Sequence, residues 1–221
     1  GECAVYLLGQ GATDMTSQWI ATAIAVPGEK VYYVSASLNG ADDAVMQILS
    51  DSSVKVVSPQ VKRDYIMARN LRPSITNPIV NYYDITIAHY LLQPEMRHSI
   101  DNLASIYFDK NIGKIEDIVG KGSRQMSIFA IDDDALSQFA CEQADMTMQL
   151  YPIINSEIEK EGLTRLLNDV ELPLVRVLAE MEIAGVRIDV TALNEASVAL
   201  TTRLQEIEAE VFELAGEEFN I

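Results

Sequence analysis

The sequence is poor in the residues that build disulfide frameworks and metal clusters. Its 221 residues include two cysteines, two histidines and one tryptophan. Cys3 and Cys141 lie in unrelated contexts, so we expect free thiols in a reducing compartment, the cytoplasm, rather than a disulfide. His89 and His98 fall in a predicted helix and a predicted loop, and we expect structural roles for both. The composition argues against a disulfide scaffold and a Cys/His zinc site.

Long apolar runs and common catalytic motifs are also missing. No apolar run reaches the roughly 18 residues of a transmembrane helix, and no signal peptide opens the chain, so we expect no membrane partner. No Walker A loop, Gly-x-Gly-x-x-Gly motif or Gly-x-Ser-x-Gly elbow occurs, and no cofactor is expected. The first residue is Gly1 rather than methionine and no stop signal follows Ile221, which suggests a piece of a longer protein.

Positive charge is scarce in the second half of the chain. The net charge is −17, and residues 132–221 hold 20 Asp and Glu against 5 Lys and Arg. An acidic surface repels phosphate backbones, so we expect weak binding of nucleic acid by this chain alone. Small basic spots at 62–63 and 121–124 are interpreted as solvated faces.

What is present is a run of strand patterns followed by helical patterns. Apolar and β-branched runs separated by turn residues predict five strands, whereas period-3.6 patterns predict helices that dominate after residue 84. Asp84, Ser99 and Asp189 or Thr191 are predicted helix caps. The order indicates an α/β domain followed by a helical segment. The predicted strands are 4–8, 18–26, 31–34, 54–57 and 79–83; the predicted helices are 42–49, 61–70, 84–92, 99–108, 115–119, 132–154, 172–185 and a last helix after 189.

One predicted helix directs a polar side chain inward. Phe139 and Gln143 are one turn apart on a face that is otherwise apolar, with Leu136, Met146 and Leu150 nearby. An inward polar residue needs a partner. Gln143 has two interpretations. It is either a hydrogen-bonded amide in the core or a residue at the rim of a cleft, or it marks the place of a lost metal-binding carboxylate.

Several segments resemble the 3′–5′ exonuclease domain of bacterial DNA polymerase I, a family A polymerase. The tail resembles the start of the polymerase thumb of that family. The resemblance implies a ribonuclease H-like fold, with a mixed sheet of about five strands flanked by helices. It also implies an exonuclease-like domain over residues 1–162 and a truncated polymerase region over 163–221. The segments are DITIAHYLL at 84–92, RHSIDNLA at 97–104, FACEQADMT at 139–147, ELPLVRVLAEME at 171–182, GVRID at 185–189 and ELAGEEFN at 213–220.

Active members of this family hydrolyse phosphodiesters with two Mg²⁺ ions held by carboxylates. The resemblance assigns their ligands to an Asp-x-Glu on the first strand, an Asp on a helix and a Tyr-x-x-x-Asp on a late helix. Here Leu8 and Gln10 fall at the first motif, Asp64 remains at the second, and Phe139 and Gln143 fall at the third. One carboxylate of four cannot hold two metals, so we expect no metal and no exonuclease activity.

Asp64 has two interpretations. It could be a residual single-metal or water site, or an acid at a helix start that interacts with the helix dipole, Arg63 or Lys62, and we favour the second.

Three functions remain as hypotheses. The first is an inactive exonuclease-like scaffold in a DNA polymerase, with Leu8, Gln10 and Gln143 packed or hydrogen-bonded where metals would sit. DNA would be contacted through the full-length protein, and the rest of the polymerase would be a partner in the same chain. The second is an active exonuclease with displaced carboxylates such as Asp14 or Asp84. The third is an acidic protein-interaction module formed by residues 132–221.

Overall fold

The computed structural model describes residues 1–11, 13–122 and 125–221. Within them, residues 1–183 and 184–221 form two separate compact units. The predicted basic spot at 121–124 falls partly outside the described residues, at Ser123 and Arg124, and Lys121 is exposed. No helix in the described ranges is long and apolar enough to cross a membrane.

The first unit is built on a mixed five-stranded sheet of order β3-β2-β1-β4-β5. The first three strands form an antiparallel meander, and β4 and β5 add in parallel to β1. This is the mixed sheet that the sequence predicts, with a shorter fifth strand. The strands are β1 Glu2–Gln10, β2 Gln18–Ala25, β3 Val31–Ser35, β4 Lys55–Ser58 and β5 Tyr82–Asp84.

Nine helical segments accompany the strands in the described part of the chain. Their bounds are α1 Ala41–Ser50, α2 Val61–Leu71, α3 Ile85–Leu92, α4 Ile100–Phe108, α5 Ile115–Val119, α6 Asp133–Lys160, α7 Thr164–Leu166, α8 Leu172–Ala184 and α9 Val190–Ala215. A five-residue π-helical turn, Leu167–Glu171, joins α7 to α8. Short 3₁₀ turns lie at Asp14–Thr16 and Ile128–Ala130.

The alternation of side chains along β1 divides the core into two layers. Cys3, Val5 and Leu7 pack in one apolar cluster with α1 and α2. Ala4 and Leu8 point the other way, into clusters that contain the buried face of α6. Successive strand residues point to opposite faces, so a single strand contributes to both layers. The sheet is therefore covered on both faces, and α6 crosses β1, β2 and β3.

Three capping predictions have different outcomes. Asp84 accepts hydrogen bonds from the Thr86 and Ile87 amides, and Asp189 accepts one from Ala192, so both caps are confirmed. Ser99 occupies the N-cap position of α4, but its side chain makes no capping bond there.

The predicted end of the long helix near Ile154 is wrong, because α6 continues to Lys160 with Pro152 inside it. Proline removes one hydrogen bond from a helix and crowds the preceding turn. Ile154 and Ile158 are nevertheless buried, and they continue the inward face beyond the proline. Burial of these side chains outweighs the local penalty, so the packing extends the helix by more than one turn.

Candidate functional site

A cleft of about 440 Å³ opens beside the ends of the parallel strands β4 and β5. In open α/β sheets this end is where ligands commonly bind. Its walls carry amides, hydroxyls and aromatic rings, with two cations and two carboxylates. One of these carboxylates, Asp101, already accepts from Lys114 Nζ at 2.9 Å. The polar and aromatic lining includes Tyr6, Gln60, Thr86, Asn102, Phe139 and Gln143.

Helix α6 delivers Phe139 and Gln143 to this cleft on one face, as the sequence predicts. Both side chains are 6% exposed. The Phe139 ring meets the ring of Tyr6 edge to face, with centroids 5.7 Å apart. Burial raises the pKa of Tyr6 to about 12, so this phenol stays neutral. Gln143 Nε2 donates to the Gly113 carbonyl oxygen at 3.0 Å, which gives the inward amide its partner.

The side chains of the two motif positions on β1, Leu8 and Gln10, lie in different surroundings. Leu8 is buried in an apolar cluster with Leu136 and Phe139. A bulge between Leu8 and Gly9 follows, and Gln10 then lines a neighbouring cavity of about 700 Å³. There its Oε1 accepts from the Ile128 amide at 2.9 Å. Phe139 therefore packs with Leu8 and lines the cleft with Gln143, whereas Gln10 faces the second cavity.

Asp64 lies buried behind Ser58, whose Oγ donates to Asp64 Oδ2. Burial raises the pKa of Asp64 to about 7, although the Ser58 hydrogen bond and the charge of Arg63 act in the opposite direction. The predicted position at the start of a helix is confirmed, because Asp64 falls in the first turn of α2.

Of the predicted partners of Asp64, Arg63 acts on it through its charge, but neither Arg63 nor Lys62 forms an ion pair with it among the described residues. Lys62 Nζ pairs with Glu182 at 2.5 Å, and Arg63 donates to the Gly9 carbonyl oxygen at 2.8 Å. Neighbouring helical residues point about 100° apart, so Asp64 turns inward where those two side chains cannot follow.

The displaced carboxylates are used elsewhere. Asp14 lies 4.0 Å from Arg63, and Asp84 caps α3 and accepts from the Val61 amide at 2.9 Å. Asp145 accepts from Gln149 at 2.7 Å and lines a different cavity from Gln143. Across residues 1–11, 13–122 and 125–221, no group of three or more His, Cys, Asp or Glu side chains could hold a metal ion.

The sequence did not reveal the contribution of the segment between α4 and α6. Gly113 donates its amide to Glu142 Oε2 at 3.0 Å and accepts from Gln143, the next residue of α6. Ile115, Val119 and Ile128 join the apolar cluster around Leu8. The sequence signal here is slight, because these apolar residues are scattered through a polar stretch that is predicted to be a loop with a short helix.

Comparison with known proteins identifies the family to which this arrangement belongs. Residues 10–150 match the family described as DNA polymerase I, ribonuclease H-like domain. The chain belongs to this family. The resemblance to the exonuclease domain of DNA polymerase I and the ribonuclease H-like fold are thereby confirmed.

Relatives and solved structures agree with the family match. The chain is 31% identical to DNA polymerase I of Pseudomonas aeruginosa over 179 residues, which is 80% of this chain and 20% of that protein. It is 32% identical to DNA polymerase I of Borreliella burgdorferi over 174 residues, or 78% and 18% of the two chains. The chain therefore spans about a fifth of the length of these relatives.

Two solved structures share the fold. The POL domain of Pol1 from M. smegmatis, in complex with DNA primer-template and dNTP, matches with a TM-score of 0.75 at 20% identity, covering 99% of this chain and 35% of that one. Brucella melitensis NrnC matches with a TM-score of 0.68 at 15% identity, covering 83% and 85% of the two chains. A second structure of NrnC contains bound Mg²⁺.

The side chains at the family's motif positions in the present protein do not fit a pair of divalent cations. Such ions need several carboxylate oxygens. Leu8 and Phe139 offer no ligand atom, and the nitrogen of the Gln143 amide is bonded to Gly113. The remaining motif acid, Asp64, is buried against Ser58 and does not line the cleft.

Proposed function

We propose that this chain is an exonuclease-like domain that has lost its two-metal chemistry and serves as a structural scaffold in a DNA polymerase I of replication and repair. The observation that carries the proposal is the set of side chains at the four motif positions. Leu8 and Phe139 are apolar and packed together, and the amides of Gln10 and Gln143 are hydrogen-bonded to backbone groups.

The attachment of α8 supports a scaffolding role. Ala179 is fully buried against the core layer that contains α2. Tyr65 Oη lies 2.6 Å from Glu180 Oε1, and Tyr82 Oη donates to the Leu172 carbonyl oxygen at 2.8 Å. We propose that residues 1–162 form the exonuclease-like domain and that residues 163–221 begin the polymerase region. On that division, α8 is the polymerase helix that this domain holds in position.

The proposed partners follow from charge and family. With a net charge of −17, the chain alone should bind DNA weakly, and DNA contact should come through the full-length polymerase. The rest of that polymerase is the second proposed partner. Cys3 and Cys141 are free thiols, consistent with the proposed cytoplasmic setting.

A nuclease assay tests the proposal. The purified chain is incubated with 3′-labelled single-stranded DNA and Mg²⁺ or Mn²⁺, beside the Asp64→Ala variant and an active relative as positive control. We expect no mononucleotide release above the background of the variant, because a two-metal site needs carboxylates that these positions lack. Release that Asp64→Ala abolishes would support an active proofreading exonuclease with displaced ligands and overturn the proposal.

A further inference from the structure

Two short segments between α4 and α6 lie against the cleft and are held at both ends. We call residues 113–120 and 125–128 the cover. Its first end is Gly113, which accepts from Gln143 Nε2 and donates to Glu142 Oε2, both at 3.0 Å. Its other end is bonded to Gln10 Oε1, which accepts from the Ile128 amide at 2.9 Å and from Ser127 Oγ at 3.1 Å. Two positions that the family resemblance assigns to metal ligands therefore anchor the two segments of the cover.

Apolar contacts fill the space between these anchors. Ile115, Val119 and Ile128 pack in one cluster with Leu8 and Phe139. The Met126 amide donates to the Val119 carbonyl oxygen at 2.7 Å, which joins the two parts of the cover. The two segments of the cover are thus joined by a hydrogen bond, and their apolar side chains pack against Leu8 and Phe139, which are two further motif positions.

The cover also divides the space at this end of the sheet. Ile115 and Glu116 line both the cleft of about 440 Å³ and the cavity of about 700 Å³. Departure of α5 would remove the wall that these two residues form and would join the cavities into one groove. In the structure described, the groove is closed by a segment of the same chain.

We infer that the cover is a fixed closure of the former reaction site, and that Gln10 and Gln143 act as its anchoring residues. The inference rests on the proposed function only in taking the cleft to be the former reaction site. The inference adds that glutamine at position 143 does more than remove a metal ligand. It also supplies the hydrogen bond that holds the cover.

The chemistry of the two anchors differs, and this makes the inference testable. Gln143 donates through its nitrogen to a carbonyl oxygen, and an ionised carboxylate cannot donate. In its two bonds to the described residues Ser127 and Ile128, Gln10 is the acceptor, and a carboxylate would accept the same two bonds at least as well. Gln143→Glu should therefore release the cover, whereas Gln10→Glu should keep it closed, although both changes replace an amide by an acid of the same length.

The experiment is hydrogen exchange followed by mass spectrometry on the full chain and its variants. We expect Gln143→Glu to speed exchange of the amides in residues 114–119 by about 5- to 100-fold, because loss of a buried hydrogen bond favours local opening. Gln10→Glu should change the exchange rate of the same amides by less than about two-fold. Gln138→Glu, at an exposed position on the same helix, is the matched charge control and should leave it unchanged.

Two outcomes would overturn the inference: unchanged exchange in residues 114–119 of Gln143→Glu, or equal opening by Gln10→Glu. If Gln143→Glu fails to fold, Gln143→Met replaces it, since it lacks the donor without burying a charge, and the same local rise is expected. Nuclease activity of the parent chain would contradict the proposed function without affecting this result, so the two failures are distinguishable.

Discussion

The two histidines form a hydrogen-bonded pair whose chemistry requires a neutral ring. His89 Nδ1 and His98 Nδ1 are 2.8 Å apart, so one ring must donate and the other must present a lone pair. His89 is 1% exposed, and the rings of Tyr90 and Tyr107 pack edge to face against the pair. Glu157 of α6 lies nearby and accepts from Tyr107 Oη at 2.7 Å.

We expect this pair to make stability depend on pH. Burial lowers the pKa of both rings below the ordinary 6.5, and the charge of His98 adds to the effect on His89. A lowered pKa in the folded state means that the unfolded chain binds protons more readily. The contribution of this pair to the free energy of unfolding should therefore be fully present above about pH 6.5 and be lost as the pH decreases through the folded-state pKa values, whereas the raised pKa of Asp64 acts in the opposite direction.

Proton NMR measures this directly, because the chain has two histidines and hence two Hε1 signals. Both midpoints should lie below 6.5, and His98→Asn should reduce the loss of Tm between pH 7 and pH 5. A midpoint above 7 for either ring would contradict the prediction.

At the scale of elements, the helical stretch from α7 to α8 contains Pro173 directly after the π-helical turn. Proline has no amide to donate and crowds the preceding turn of an α-helix. The π-helical turn before Pro173 is wider than an α-helical turn and accommodates the proline. The helical backbone therefore continues from α7 through this turn into α8, without a break at Leu172. Its inward face is short, since Leu172, Val175 and Ala179 are its buried residues.

The contact between α8 and α2 includes the buried Tyr65 and a surface ion pair between Lys62 and Glu182. Tyr65 is fully buried, and its Oη bonds to Glu180 or the Thr76 carbonyl oxygen. We expect Tyr65→Phe to lower the free energy of unfolding by about 1–2 kcal/mol, because acceptors near the core lose their donor. Urea denaturation measures this change.

The control is Glu182→Gln on the same pair of helices. Glu182 and Lys62 are 41% and 38% exposed, so their ion pair is screened by solvent. Its loss should change the free energy of unfolding by less than about 0.5 kcal/mol. Equal effects of the two substitutions would show that the phenol does not fasten α8.

At the scale of the whole molecule, α9 contains no buried residue. Its apolar stripe is largely solvent-exposed, and Leu200 and Leu214 are 72% and 82% exposed. The stripe consists of residues 193, 200, 204, 207, 211 and 214. An apolar helix face without a partner favours association. The first unit, by contrast, has continuous core clusters on both faces of its sheet.

Removal of residues 190–221 should therefore leave the first unit intact. We expect its Tm to change by less than about 2 °C, a shift that corresponds to no more than about 1 kcal/mol for a domain of this size. Sedimentation should show concentration-dependent association of the full chain and a monomer after truncation. A fall in Tm of more than about 5 °C, or association that persists after truncation, would contradict this.

The local sequence pattern was sufficient to predict the family, the order of strands and helices, the helix cap formed by Asp84 and the inward direction of Gln143. These features depend on residues within a few positions of one another, where side-chain period and capping chemistry operate. The absence of carboxylates at Leu8, Gln10 and Gln143, and of the tyrosine at Phe139, was also visible in the sequence.

Only the tertiary structure decided which groups meet the substituted side chains. Gln143 bonds to a residue 30 positions away, and Gln10 to one 118 positions away. Asp64 likewise accepts a hydrogen bond from Ser58 rather than from its charged neighbours, because its position in the first turn of α2 directs its side chain into the core. Contacts over such separations depend on how helices pack across the sheet, and no local period encodes that packing. The inward amide of Gln143 was therefore predictable, and its role as the anchor of a cover was not.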